Sequence, residues 1–210
     1  MVRVKSPILS NIESIGVTNV DYSSVVIDDL YSQFHQHSTG IACLYADYQD
    51  QNSQTLVNIL GSFLHQLLTT TTDPIPDEIT KKLQEQKGKL GIKDCLALLR
   101  IRLHQLKHVF ICIDAIDELD PTVCRELLTI LAELCTRNIR LFLTGRGHIE
   151  SEVQKCFQAI PTYTVTISTN EQDIETFVGQ QIIDDPYPDA MDEVLERDII
   201  NAMIQKSKGM

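Results

Sequence analysis

Apolar positions along the chain fall into two rhythms. Val26, Leu30 and Phe34 recur at helical spacing within 23–35, and Leu56, Ile59, Leu60, Phe63, Leu64 and Leu67 do so between Asn52 and about Thr70. That spacing gives a helix one buried face. Gly40-Ile-Ala-Cys-Leu-Tyr-Ala-Asp47 lies between them as a short apolar run, which predicts a strand. Thr70-Thr-Thr-Asp-Pro-Ile-Pro76 breaks the second helix, and two more helices fit about 77–87 and 92–106, the latter carrying Leu96, Leu99 and Leu103. Residues 1–22 are polar, rich in Ser and Asn, and show no sustained period.

From His108 onward the alternation is regular. Strands are predicted at 108–114, 138–144 and 162–167, and helices from Pro121, near 148–158, from Asn170 and over about 190–207. Pro is favoured at a first helical position, and Asp120 before it is placed to cap the free N–H groups. Strands alternating with helices imply an α/β fold with a mostly parallel sheet covered on both faces.

The strand at 108–114 ends in chemistry. His108-Val-Phe-Ile-Cys-Ile-Asp114-Ala-Ile-Asp117-Glu118-Leu-Asp120 is an apolar run that discharges into four carboxylates. A buried strand with acids at its carboxyl end is one way to present a divalent cation and a water to a bound nucleotide. The bland reading is a solvated turn with Asp120 as a helix cap. The phosphate cradle that should accompany such a strand is missing: no G-x-x-x-x-G-K-[ST] pattern occurs in the 210 residues, and Gly88-Lys89 is followed by Leu90 with no glycine five residues before it.

Composition narrows the field. A net charge of −11 argues against a phosphate-backbone surface, so nucleic acid is not an expected partner. Six cysteines are scattered without C-x-x-C spacing, and Cys43 and Cys112 lie in apolar strand-like runs, a usage that fits a cytoplasmic protein. No apolar run approaches the roughly 20 residues that cross a bilayer, so no membrane partner is expected. His35 and His37 form an H-x-H pair with no third ligand nearby, which reads as a polar helix end.

Ile111-Cys-Ile-Asp-Ala-Ile-Asp-Glu118 resembles the extended Walker B motif of NACHT-type STAND NTPases, and Arg140-Leu-Phe-Leu-Thr-Gly-Arg146 resembles the sensor 1 strand that follows it. Leu60-Gly-Ser-Phe-Leu-His65 and Phe177-Val-Gly-Gln-Gln-Ile182 are similar to the nephrocystin-3-like N-terminal domains of many fungal NACHT proteins with repeats. The resemblance covers about 23–210 and implies a P-loop NTPase-like three-layer sandwich, a cytoplasmic signalling switch, and ATP or GTP with Mg²⁺ as cofactor. It implies Asp114 as the metal ligand, Asp117 and Glu118 as the groups that orient or deprotonate the hydrolytic water, and Thr144 and Arg146 as contacts to the nucleotide. Arg offers a fixed cationic fork for phosphate oxygens.

The start departs from that pattern. A central strand and a glycine-rich loop should precede the helix at 23–35, but Asn11-Ile-Glu-Ser-Ile-Gly-Val-Thr-Asn-Val-Asp21 stands there. Charge-assisted hydrogen bonds of roughly 1.5–3 kcal/mol each would be lost with the loop. The missing strand should also leave unpaired edges inside the sheet, with Val2-Arg-Val4 and Ile15–Val20 as candidates to fill the gap. The chain stops at Ser207-Lys-Gly-Met210, where the family continues into a winged-helix region and repeats, so a truncated product is expected. Two readings stand: a NACHT-like signalling NTPase domain with impaired nucleotide binding, and a non-catalytic interaction module or inert fragment that self-associates or pairs with NACHT-repeat relatives. A metabolic P-loop kinase or ATPase is disfavoured because both the phosphate loop and any substrate-side motif are missing.

Overall fold

A computed structural model describes residues 2–4, 22–34, 38–69, 71, 73–86, 89–135, 138–165, 171–183 and 192–207. His35 and His37 and the Ile15–Val20 segment lie outside them. In chain order the elements are β1 (Val2–Val4), α1 (Tyr22–Gln33), β2 (Thr39–Tyr45), α2 (Leu56–Thr69), α3 (Asp77–Glu85), α4 (Ile92–Gln105) and β3 (His108–Asp114). They continue with α5 (Pro121–Leu134), β4 (Ile139–Thr144), α6 (Glu150–Cys156), β5 (Tyr163–Val165), α7 (Glu171–Ile183) and α8 (Glu193–Ser207). Contacts divide the chain into two compact units, one of 1–10 with 23–166 and one of 11–22 with 167–210. In the second, α7 and α8 pack on each other.

The first unit is an α/β fold. Its strands are ordered β2-β3-β4-β1-β5. β2 pairs parallel with β3 from Thr39↔His108 to Tyr45↔Asp114, and β3 pairs parallel with β4 from Val109↔Ile139 to Ile113↔Leu143. The carboxyl ends of all three therefore open on one edge. β1 is antiparallel to both neighbours, with Val2↔Thr144 and Val4↔Phe142 on one side and Val2↔Val165 and Val4↔Tyr163 on the other. β5 consequently runs in the direction of β4.

The expected vacancy inside the sheet is thus not empty. Val2–Val4 occupies it, so the inner edges of β4 and β5 are paired rather than exposed. The physical reason is that unpaired N–H and C=O groups within a covered sheet are costly, and any short extended segment within reach lowers that cost. A run of three residues with one charge carries almost no periodic signal, which is why it reads as irregular in the sequence.

Period-2 alternation splits the sheet into two faces. Ala42, Val109, Ile111, Ile113, Ile139, Leu141 and Leu143 join the large core with α2, α4 and α5. Gly40 leaves room for the core here: a Cβ would stand 2.7 Å from the side-chain ends of both Leu67 and Leu106, which would have to shift. On the opposite face, Phe34 just beyond α1 meets Phe110 at a centroid distance of 4.8 Å, and the Arg140 guanidinium lies 5.7 Å from the same ring. The expected Val26, Leu30, Phe34 stripe is shifted: Ser23, Ile27 and Leu30 are the buried positions of α1. In α2, all six expected core residues are buried.

Arg102 of α4 is fully buried, an unusual place for a cation. Its Nε donates to Leu67 O (3.1 Å), its Nη1 to Pro74 O (3.4 Å) and Gln105 Oε1 (3.1 Å), and its Nη2 to Thr71 Oγ1. Burial lowers its pKa, and the nearby Asp73 charge acts in the opposite sense. The guanidinium satisfies a carbonyl in the last turn of α2 and pins the Thr- and Pro-rich segment that follows. Arg102→Ala strands the buried Leu67 carbonyl and releases the segment that follows, and is expected to cost about 1–3 kcal/mol in urea unfolding. An unchanged unfolding midpoint would show that the carbonyls reach water.

Candidate functional site

Strand β3 stops at Asp114 because the chain reverses at once. Ala115 sits in the left-handed region (φ 51°, ψ 44°), a conformation that costs a non-glycine residue about 1 kcal/mol. The turn is held from β4. Ala115 N donates to Thr144 Oγ1 (2.8 Å), and Thr144 Oγ1 in turn donates to Asp114 Oδ1 (2.5 Å). One hydroxyl therefore closes the ends of two strands and orients the carboxylate between them.

The acids that follow, in a short 3₁₀ turn over Ile116–Glu118, hold the next strand's exit. Asp117 Oδ1 accepts from Arg146 N (3.1 Å), and its side chain is only 3% exposed. A Cβ on Gly145 would lie 3.1 Å from that same oxygen, so the glycine permits the close approach. Arg146 is 76% exposed; its Nε stands 3.8 Å from Asp117 Oδ2 and its Nη2 3.7 Å from Glu118 Oε1. Glu118 also faces the loop after β2: Tyr48 N donates to its Oε2 (3.4 Å), and Gln51 Nε2 donates to its carbonyl (2.8 Å). Asp120 caps α5 through Thr122 N and Val123 N, with Pro121 at the first helical position.

All five residues singled out from sequence, Asp114, Asp117, Glu118, Thr144 and Arg146, therefore meet at one sheet edge. Their burial differs in a way spacing does not reveal. Asp117 is nearly enclosed and engaged with the Gly145-Arg146 backbone, whereas Glu118 is half-buried and Arg146 exposed. Sequence reading also passed over Tyr45, the register partner of Asp114. Partial burial raises its phenol pKa, the charges of Cys43, Asp114 and Asp28 add to that, and a hydrogen bond with Ser24 opposes it.

Among the described residues no group of three or more His, Cys, Asp or Glu is arranged to hold a metal ion. Asp114 is the acid that could hold a hydrated ion such as Mg²⁺, which keeps several waters and accepts one or two carboxylates. With Oδ1 held by Thr144, Asp114 has Oδ2 to offer the ion or its water.

An α/β unit with acids at the common carboxyl edge of three parallel strands has the layout of an NTPase-like domain. The sequence profile of the Nephrocystin 3, N-terminal family matches residues 21–146, well over half of the chain. The protein belongs to that family. No curated protein sequence matches it significantly. A Walker-type ATPase of Pyrococcus abyssi superimposes on 84% of this chain with a TM-score of 0.37 and 11% identity, a likeness too distant to bear on function. The aligned part spans 60% of that ATPase. Among the described residues, no helix is long and apolar enough to cross a membrane.

Thr144→Val keeps the shape of the side chain and deletes the hydroxyl, leaving Ala115 N without its acceptor. A loss of about 1–3 kcal/mol in unfolding free energy is expected, with Thr144→Ser recovering most of it. Equal stability of the Val and Ser variants would show that the strand ends are held by something else.

Proposed function

We propose that the chain is a NACHT-like nucleotide-binding domain that keeps the metal-and-water half of its site and lacks the phosphate cradle. The observation that carries this reading is the direction of β1. A phosphate loop follows the carboxyl end of a strand, on the edge where the acids stand. Val2, at the amino end of β1, is level with Thr144, so the carboxyl end at Val4 points to the opposite edge. The strand that fills the central slot is thus turned the wrong way to deliver a glycine-rich loop to Asp114, and the sequence contains no such loop to deliver.

In this reading Asp114 holds Mg²⁺ directly or through water, and Glu118, half-exposed beside Arg146, is the group that orients or deprotonates a water. Asp117 holds the Gly145-Arg146 turn, and Arg146 faces the terminal phosphate. Mg²⁺, when bound, neutralises phosphate charge. Without a nest of backbone N–H donors and a lysine, the remaining groups bind ATP or GTP weakly.

A second reading, a non-catalytic module that self-associates or pairs with NACHT-repeat relatives, is supported by the same strand. Val2–Val4 fills the inner slot from within the chain, and Asp117 and Glu118 pair with Arg146, so these groups have partners inside the unit. Light scattering of the chain with an intact relative separates this module from an inert fragment: a stable complex supports the module, and two independent species exclude it.

Calorimetric titration with Mg-ATP and Mg-GTP is expected to give a Kd above roughly 100 μM, because a few lost charge-assisted contacts cost several kcal/mol and each 1.4 kcal/mol is tenfold. Hydrolysis should be undetectable. Micromolar affinity would overturn the half-site and point to a substitute cradle within residues 1–22.

A further inference from the structure

The sheet face beneath α1 carries two thiols that the nucleotide reading does not use. Cys43 of β2 and Cys112 of β3 are register partners in a parallel pair. Their side chains leave the same face, on backbones about 4.8 Å apart. That lies inside the roughly 4.4–6.8 Å Cα separation that a disulfide spans. The two thiols face each other across the pair, and the Tyr31 hydroxyl of α1 lies beside Cys43. Cys43 is half-buried on the sheet's outer strand, and Cys112 is 1% exposed on the next.

We propose that Cys43 and Cys112 are a modification site, a cross-strand dithiol that hydrogen peroxide converts to a disulfide. Cys43 is the attacking sulfur because it is the accessible member. The Cys112 thiol and the Tyr31 hydroxyl hold its pKa below the usual thiol value, against the opposing effect of burial. Its thiolate attacks one oxygen of the peroxide and the O–O bond breaks, which leaves Cys43 as a sulfenic acid and releases hydroxide that takes up the thiol proton as water. The Cys112 sulfur then attacks the Cys43 sulfur. The S–O bond breaks, and a second water leaves with the Cys112 proton. Two thiols give up two electrons to one peroxide, which ends as two waters.

The buried Cys95 and Cys124 are poorer candidates for the first step. Burial raises the Cys95 thiol, and burial with the charges of Glu152 and Asp117 pushes Cys124 up to about 12. The bond would fasten β2 to the strand that ends in Asp114, joining the sheet's edge to the acid site covalently.

The full-length chain exposed to sub-millimolar hydrogen peroxide, then alkylated and mapped without reduction, is expected to yield a linked Cys43–Cys112 peptide and an intact mass lower by about 2 Da, both reversed by dithiothreitol. Cys112→Ala should stop at a Cys43 sulfenic acid that dimedone traps. Tyr31→Phe should slow the first step several-fold with the fold retained. If Cys112→Ala fails to fold, the wild-type map decides alone. The proposal is overturned if Cys43 and Cys112 stay alkylatable while oxidation falls on Cys95, Cys124, Cys135 or Cys156, or if the two link only after denaturation.

Discussion

The parallel register of β3 against β4, closed by the Thr144 hydroxyl, is the constraint on which the rest of the unit depends. Parallel pairing brings the ends of two distant segments to one level, and the hydroxyl fixes that level by accepting from Ala115 N and donating to Asp114. Once it is set, the left-handed turn at Ala115 swings Ile116–Glu118 across the edge, where Asp117 reaches the Gly145-Arg146 backbone. The side chains of Asp114, Asp117, Glu118, Thr144 and Arg146 are then placed by one ladder.

Strand direction decides what the site lacks. Filling the sheet's inner slot satisfies backbone groups equally well in either direction, because antiparallel pairing is at least as favourable as parallel pairing. Function is less tolerant. A parallel strand ends at the acids, whereas β1 begins there, level with Thr144. On the reading proposed above, the slot can therefore be filled while only half of a nucleotide site is presented.

Much of this was legible in the chain before any coordinates. The six core positions of α2 follow from period alone, and the Asp120-Pro121 start of α5 follows from capping chemistry. The site was legible as a cluster, because acids directly after a buried strand have few other places to go. Other features rest on long-range geometry that no local window holds. β1 acquires meaning only from the two strands that flank it, and the α1 stripe moved to Ser23, Ile27 and Leu30 because tertiary packing overrode a short apolar period. Arg102 looks like any surface arginine until the acceptors at Leu67, Thr71, Pro74 and Gln105 converge on it. The difference in burial between Asp117 and Glu118, one residue apart, likewise comes from the turn at Gly145.

The account holds that the acids are in working position and that the phosphate cradle alone is missing. Its most direct test replaces residues 1–22 with the central strand and glycine-rich loop of a family member that has them, and measures binding of a fluorescent nucleotide with Mg²⁺. The account predicts that affinity returns to the micromolar range, that Asp114→Asn in the chimera weakens the Mg²⁺-dependent part, and that Glu118→Gln spares binding while removing turnover. A chimera that folds and gains no binding would contradict it, since the acids would then lack the geometry that nucleotide chemistry requires.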